Sequence, residues 1–266
     1  DPEAITVSVV DSLLSCGSMP TILADTNFLP DGSGTSYTST ITHTVFGEDQ
    51  EIVSASDIES ISFNIEHSWL QDLTITLTCP TGQSMKFFDK YGGEAFLGEP
   101  VDTSTYIDLD VTPGVGYAYF FTQDAQFTWN QAYQQNHRYT YVDLLGYPHI
   151  NNRYIPTGNY KPIQSFNNLI GCKLNGDWVI TVKDNFRGDN GYLFSWGLNF
   201  SPDAFPPGYC NGMVEINAAG GTGQLNYAWS NGDNTSRIED LCAADYTVTV
   251  TDANGCQTNY TTTVED

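Results

Sequence analysis

The chain has 266 residues, enough for two domains or for one large β-sandwich. Its 9 Lys+Arg against 32 Asp+Glu give a formal net charge of −23, which repels phosphate backbones and anionic lipid and argues against nucleic-acid and membrane-surface partners. No apolar run approaches the roughly 20 residues that span a bilayer, which argues against direct membrane insertion, and the absence of a basic-then-apolar leader is expected of a mature or excised fragment.

Abundant Thr, Ser, Tyr, Val, Ile and Gly, with 13% aromatic residues, point to an all-β protein. Six cysteines, at positions 16, 79, 172, 210, 242 and 256, include no Cys-x-x-Cys pair. That spacing favours structural disulfides and an oxidising, extracellular setting over zinc or redox chemistry.

Along the chain, Ile5–Val10 reads as an edge strand, followed by a loop through Cys16 and Pro20. Tyr37–Phe46 alternates as a half-exposed strand. In Ile58–Glu66, Ile61, Phe63 and Ile65 point one way and Ser62, Asn64 and Glu66 the other. A short connection, 67–72, leads to Leu73, Ile75, Leu77 and Cys79 alternating with threonines, and a Pro80-Thr81-Gly82 turn ends that strand. From Phe87 to Tyr160 the pattern loosens into a long aromatic region, with a legible strand only around Tyr106–Val111. Its rings have two readings: they bury the loop against the sandwich, or they form a surface for stacking sugars or a partner, with Trp129, Tyr133, Tyr139 and Tyr141 as the contact residues.

Residues 169–200 form the most regular stretch. Trp178, Ile180 and Val182, then Tyr192, Phe194, Trp196, Leu198 and Phe200, repeat with period two on either side of a glycine-marked acidic turn, 184–191. The expectation is a hairpin. Asp72, Asp184 and Asp189 offer oxygens at one end of the sandwich, either as a calcium site or as solvated turn-formers. Weaker acid groups are Asp25 with Asp31, Glu94 with Glu99 and Asp102, and Asp108 with Asp110. A proline-rich break at 203–208 reads as an interdomain linker. Beyond it, short strands at Met213–Ile216, Gln224–Trp229, Asp245–Thr251 and Gln257–Val264 alternate with glycine turns, the texture of a small Ig-like sandwich. No catalytic constellation is visible. His67 is the best placed of the four histidines, and a bond across the sheet explains it better than catalysis does.

Two resemblances follow from these motifs. Glu66–Leu77, the Cys79-Pro80-Thr81-Gly82 turn, Asn175–Trp178, Gly188–Gly191 and Ser195–Phe200 together resemble the P domain of proprotein convertases over about residues 20–202. The sequence departs from that pattern in Ser68-Trp69 for Thr-Tyr, Gln71 for Gly, the cysteines at 79 and 172, and an expanded aromatic middle. The resemblance implies a jelly-roll-like β-sandwich that accompanies secreted subtilisin-like proteases and also occurs in bacterial surface proteins without a protease. Tyr246–Cys256, with Gly220–Gly223 and Tyr227–Gly232 before it, looks like one SprB-type repeat, a module of gliding and surface adhesins in Bacteroidetes, over about 209–266. The tandem implies a secreted or cell-surface bacterial protein exported by the type IX system and joined to further modules of the same polypeptide.

The expected organisation is thus a P-domain-like sandwich with an N-terminal lead-in (1–202), a linker (203–208) and an Ig-like repeat (209–266). Cys79 and Cys172 are expected to bridge within the first and Cys210 and Cys256 to close the second, leaving Cys16 and Cys242 open. The expected function is non-enzymatic adhesion or display, with calcium-stabilised loops and glycans or a surface protein as partners. The alternatives are an accessory module stabilising a secreted subtilisin-like serine protease, and a passive stalk.

Overall fold

The computed structural model describes residues 4–13, 21–30, 32, 35–102, 111–205, 210 and 212–264. Most of the expected strand at 106–111, Cys16, Asp31, Asp108, Asp110, part of the expected linker and the side chain of Asp25 lie outside the described residues.

The first strands are β1 (Thr6–Leu13), β2 (Thr21–Phe28), β3 (Tyr37–His43), β4 (Ile58–His67), β5 (Leu73–Thr78) and β6 (Ser84–Asp89). Next come β7 (Phe96–Leu97), β8 (Tyr117–Phe121), the short helix α1 (Trp129–Gln134), β9 (Arg138–Val142), β10 (Pro148–Ile155) and β11 (Gly158–Tyr160). The chain continues through β12 (Gly176–Asp184), β13 (Gly191–Phe200), β14 (Gly212–Ala219), β15 (Asn226–Trp229), β16 (Arg237–Leu241), β17 (Ala244–Thr251) and β18 (Gln257–Val264). The fold is all-β, and the chain divides into two compact units: Pro20–Phe200, and Asp1–Met19 together with Ser201–Asp266.

In the larger unit one sheet runs β3-β12-β5-β6, while the other carries β11-β8-β4-β7-β10-β9 with β13 between β4 and β2. The period-two pattern sends alternate side chains inward, so Trp178, Ile180 and Val182 of β12 and Trp196, Leu198 and Phe200 of β13 are all buried. The sheets meet through aromatic edges: Trp178 on Phe200 at 5.5 Å and Phe63 on Phe87 at 5.2 Å between ring centroids. Trp196 Nε1 donates across the gap to Ser39 Oγ at 2.9 Å.

One expectation fails here. β12 and β13 are not a hairpin, since β12 pairs with β3 and β5 whereas β13 pairs with β2 and β4. Both edges of each strand are taken, so residues 184–191 cross from one sheet to the other. The aromatic middle is also more regular than its sequence suggests, holding β7 to β11 and α1. Helix α1 starts at a capping box in which Thr128 Oγ1 accepts from Gln131 N–H and Gln131 Oε1 accepts from Thr128 N–H. That Thr-x-x-Gln signature was readable in the sequence.

The smaller unit packs the sheets β1-β14-β16 and β15-β17-β18 around Val214, Ile216, Trp229, Ile238, Val248 and Val250. Strand β1 pairs antiparallel with β14, and Ile5, Val7 and Val9 lie against that core. The N-terminal segment is therefore not a lead-in to the larger sandwich. Cys210 is bonded to Cys242, and Cys256 is free and exposed, which corrects the expected Cys210–Cys256 pair. The reason is register: Gly212 of β14 faces Leu241 at the end of β16, which sets Cys210 and Cys242 side by side just beyond that pair. In the larger unit Cys79 and Cys172 form a disulfide, joining the chain after β5 to the chain before the neighbouring β12. Peptide mapping of the unreduced protein is expected to recover Cys79 linked to Cys172 and Cys210 linked to Cys242, with Cys256 alkylated under native conditions. A Cys210–Cys256 peptide would refute the register.

Candidate functional site

The crossing loop is fixed by a contact with no access to water. His67 and Asp184 have fully buried side chains, and His67 Nε2 lies 3.3 Å from Asp184 Oδ2. The backbone N–H of Trp69 donates to His67 Nδ1 at 3.0 Å, so Nδ1 carries no proton and Nε2–H is the donor to the carboxylate. Asp184 Oδ1 in turn accepts from the N–H of Phe186 at 3.1 Å. Asn185 completes the junction: its backbone N–H and its Nδ2 both donate to the carbonyl of Asp72, at 2.8 and 2.7 Å. Gly191 lies opposite His67 in the β4–β13 ladder, where an added Cβ would strike the imidazole ring.

These contacts decide how the three aspartates behave. Asp72 and Asp184 do come to the same end of the sandwich, bridged by Asn185, but both oxygens of Asp184 are occupied by protein donors. Asp72 and Asp189 have interactions of their own, and among the described residues no group of three or more His, Cys, Asp or Glu side chains is placed to hold a metal ion. Each Asp184 oxygen already accepts from a protein donor, so a calcium ion, which needs six to eight oxygens, would have to share or displace those donors. His67 likewise has both ring nitrogens engaged and none left for a substrate.

The four aromatic residues expected to bind a ligand mostly fasten the structure. Trp129 is fully buried, its ring 5.1–5.4 Å from Phe88, Tyr119 and Phe121. Truncating such a side chain costs about 3–5 kcal/mol of folding stability, so a change there reports on folding and not on binding. Tyr141 is buried, donates its hydroxyl to the Pro100 carbonyl at 2.6 Å and stacks on His149 at 4.6 Å. Tyr139 donates to the Gly98 carbonyl at 2.5 Å and stacks on Tyr154 at 4.1 Å. Burial pushes both phenols well above their usual range. Tyr133 is half-buried and lies under the Arg153 guanidinium, 4.4 Å from its ring centroid.

The β9–β10 hairpin that these rings anchor has an apolar tip. Val142, Leu144, Leu145, Tyr147 and Ile150 are each 45–71% exposed. Below them Asp143 has no exposed side-chain surface and accepts from His149 Nε2 at 2.9 Å and from the N–H groups of Leu145 and Tyr147 at 3.0 and 2.9 Å. Burial works against the Asp143 carboxylate, but these donors outweigh it and hold its pKa below the usual 3.8.

Beside the hairpin lies a cleft of about 360 Å³, lined by Trp69, Glu94, Phe96, Asp102, Arg138, Asn151, Asn152 and Arg153. Glu94 and Asp102, grouped with Glu99 by sequence, both face it, whereas Glu99 accepts from the Tyr117 hydroxyl at 2.7 Å. Nothing in the sequence marks the cleft, because its walls come from four separate segments.

Residues 149–200 match the family model of the proprotein convertase P-domain. The matched stretch contains β11, β12 and β13 and all but the first residue of β10, so it includes Asp184, the crossing loop and Trp196. Two solved structures also match, the serine protease of Aeromonas sobria and a complex of that protease with the chaperone ORF2. Each is 14% identical with a TM-score of 0.29, covering 75% of this chain and 26% of the other. The chain thus spans about a quarter of those chains' length, and a likeness of this degree carries no argument about the fold. No curated protein matches. P-domain modules are non-catalytic, sit with other domains of the same polypeptide and are typically secreted. Among the described residues no helix is long and apolar enough to cross a membrane.

Two outcomes follow for the larger unit. Asp184→Ala leaves the buried His67 Nε2–H without a partner and is expected to cost about 2–4 kcal/mol in denaturant unfolding. That loss should be equal in millimolar calcium and in chelator; a loss that vanishes in chelator would restore Asp184 as a metal ligand. For Asp143, a folded pKa below the unfolded value means that its stabilisation is complete above the unfolded pKa and fades as pH falls through the folded one. The melting-temperature gap between the native chain and Asp143→Asn should therefore be widest above about pH 5 and close below about pH 4.

Proposed function

We propose that this chain is a non-catalytic accessory part of a secreted subtilisin-like serine protease, its larger unit being the P-domain that steadies a catalytic domain of the same polypeptide. The observation that carries the reading is the family match over 149–200, which falls on the strands and the crossing loop around which the sandwich is built. Two features support it. The histidine best placed for catalysis is spent on holding a loop, and the exposed apolar tip of the β9–β10 hairpin offers a rigid surface of the kind a neighbouring domain covers.

The adhesin reading comes second. It drew on Trp129, Tyr133, Tyr139 and Tyr141 as a contact face, and those rings serve the fold. The smaller unit we read as a SprB-type repeat, in this case completed by a strand from the other end of the chain. Two disulfides among the described residues support an extracellular setting for either reading.

In the full-length polypeptide, Leu144→Ser with Tyr147→Ser is expected to shorten the protease half-life at elevated temperature several-fold. Because both residues are exposed, the melting of the isolated 266-residue chain should not change. An unaltered half-life, or a polypeptide with no Asp/His/Ser protease domain, would sink the reading.

A further inference from the structure

We propose that the cleft between Trp69 and the β9–β10 hairpin is a binding site for a carboxylate-bearing saccharide, a uronate in a short oligomer. The site stands independently of the accessory reading.

The first argument is electrostatic. In a chain with only 9 Lys+Arg, two arginines face one cleft, and neither makes an ion pair with any described residue. Both are held in place while keeping donors to spare. Arg153 donates through Nε to Asn136 Oδ1 at 2.8 Å and rests on the Tyr133 ring, which leaves its two terminal NH2 groups for a ligand. Arg138 gives one NH2 to the Asn151 carbonyl at 2.7 Å and keeps the other. A guanidinium with a free edge is the side chain best matched to a carboxylate.

The second argument is conformational. Asn136 and Asn151, the residues that grip the two arginines, are both in the left-handed region, with φ of 57° and 60°. Asn151 also lies in the register shift of the β9–β10 ladder between His149 and Asn152, and its N–H is held by Thr140 Oγ1 at 3.0 Å. Bulges and left-handed non-glycine residues persist where the surrounding structure enforces them, and they serve to re-aim side chains at sites. Here they aim Arg138, Asn152 and Arg153 into one cleft.

The remaining lining selects the ligand. Half-buried Trp69 presents an aromatic wall, and its backbone is fixed by the bond to His67. Asn151 and Asn152 with Glu94 supply planar amides and a carboxylate that accept from hydroxyls. A flat apolar ring face, many hydroxyls and one carboxylate together describe a uronate. The two acids in the lining count against a dianionic phosphate group, whereas a uronate brings a single charge per ring to the two arginines, and the net charge of −23 keeps the bound oligomer short.

The test is calorimetric titration of the 266-residue chain at about 0.15 M salt, where long-range repulsion is screened beyond about 8 Å. Oligogalacturonate and alginate oligomers are compared with neutral galactose oligomers of equal length and with a hexaglutamate peptide. Saturable binding of a uronate oligomer is expected, at least about tenfold tighter than the neutral oligomer, with no saturable binding of the peptide. Arg138→Gln and Arg153→Gln are each expected to lose about tenfold or more at unchanged melting temperature, and Trp69→Leu to weaken acidic and neutral oligomers alike. Equal binding of acidic and neutral sugars, tighter binding of the peptide, no saturable binding of any uronate, or full affinity in both arginine variants would each overturn the proposal.

Discussion

The larger unit depends on one constraint: β12 and β13, an inner strand of each sheet, each have both edges occupied, so the chain between them has to change sheets. A change of sheet at the end of a sandwich exposes backbone that belongs to neither ladder and has to be bonded another way. The loop meets this need through side chains. Asp184 ends β12 and accepts from Phe186 and His67, while Asn185 reaches back to Asp72 at the entrance of β5. A buried carboxylate is tolerable only when donors replace its water, and two of them converge on this one. The His67–Asp184 contact therefore closes the end of the sandwich at which β12 stops and β13 starts.

The same contact extends to the surface. His67 can present Nε2–H to Asp184 only if Nδ1 is an acceptor, and the group that donates to it is the backbone N–H of Trp69. The tautomer thus couples the crossing loop to the segment that forms one wall of the cleft. The opposite wall belongs to the β9–β10 hairpin, held from inside by Asp143 and His149 and from below by Tyr139 and Tyr141. Both walls are stiff because a buried polar contact lies behind each, and a stiff site loses less entropy on binding.

What the sequence made legible was which residues face inward, and what it withheld was which strands lie together. Period two in 176–200 marks Trp178, Ile180, Val182, Trp196 and Leu198 as core, and all are buried, whereas Phe194 is only half-buried because the ladder shifts register between Leu193 and Ser195 and Leu193 turns inward instead. It said nothing about partners, because alternation marks a face and not an edge. Hence the expected hairpin proved to be two strands in opposite sheets, and Ile5–Val10 was read as an edge strand but grouped with the wrong unit. The oxygens of Asp184 suit a calcium ligand or a solvated turn-former equally by sequence, and the donor that occupies one of them is 117 positions away in the chain, at His67. The cleft left no trace in the pattern, since side chains that meet only in three dimensions share no spacing. Its one local hint was Asn136 and Asn151, a residue type that tolerates the left-handed conformation.

The smaller unit shows how far a non-local strand matters. A unit of about sixty residues has a marginal core on its own. β1 supplies β14 with a partner and adds Ile5, Val7 and Val9 to that core, but residues 14–211 separate the two strands. Closing a flexible loop of that length costs about 5 kcal/mol, more than a few half-buried aliphatic side chains return. The balance changes once Pro20–Phe200 has folded, because the intervening chain is then no longer a free coil and most of its closure entropy has been lost to its own core. The pairing of β1 with β14 is on this argument a late step that depends on the larger unit, and the Cys210–Cys242 bond is what holds β14 to β16 in the meantime.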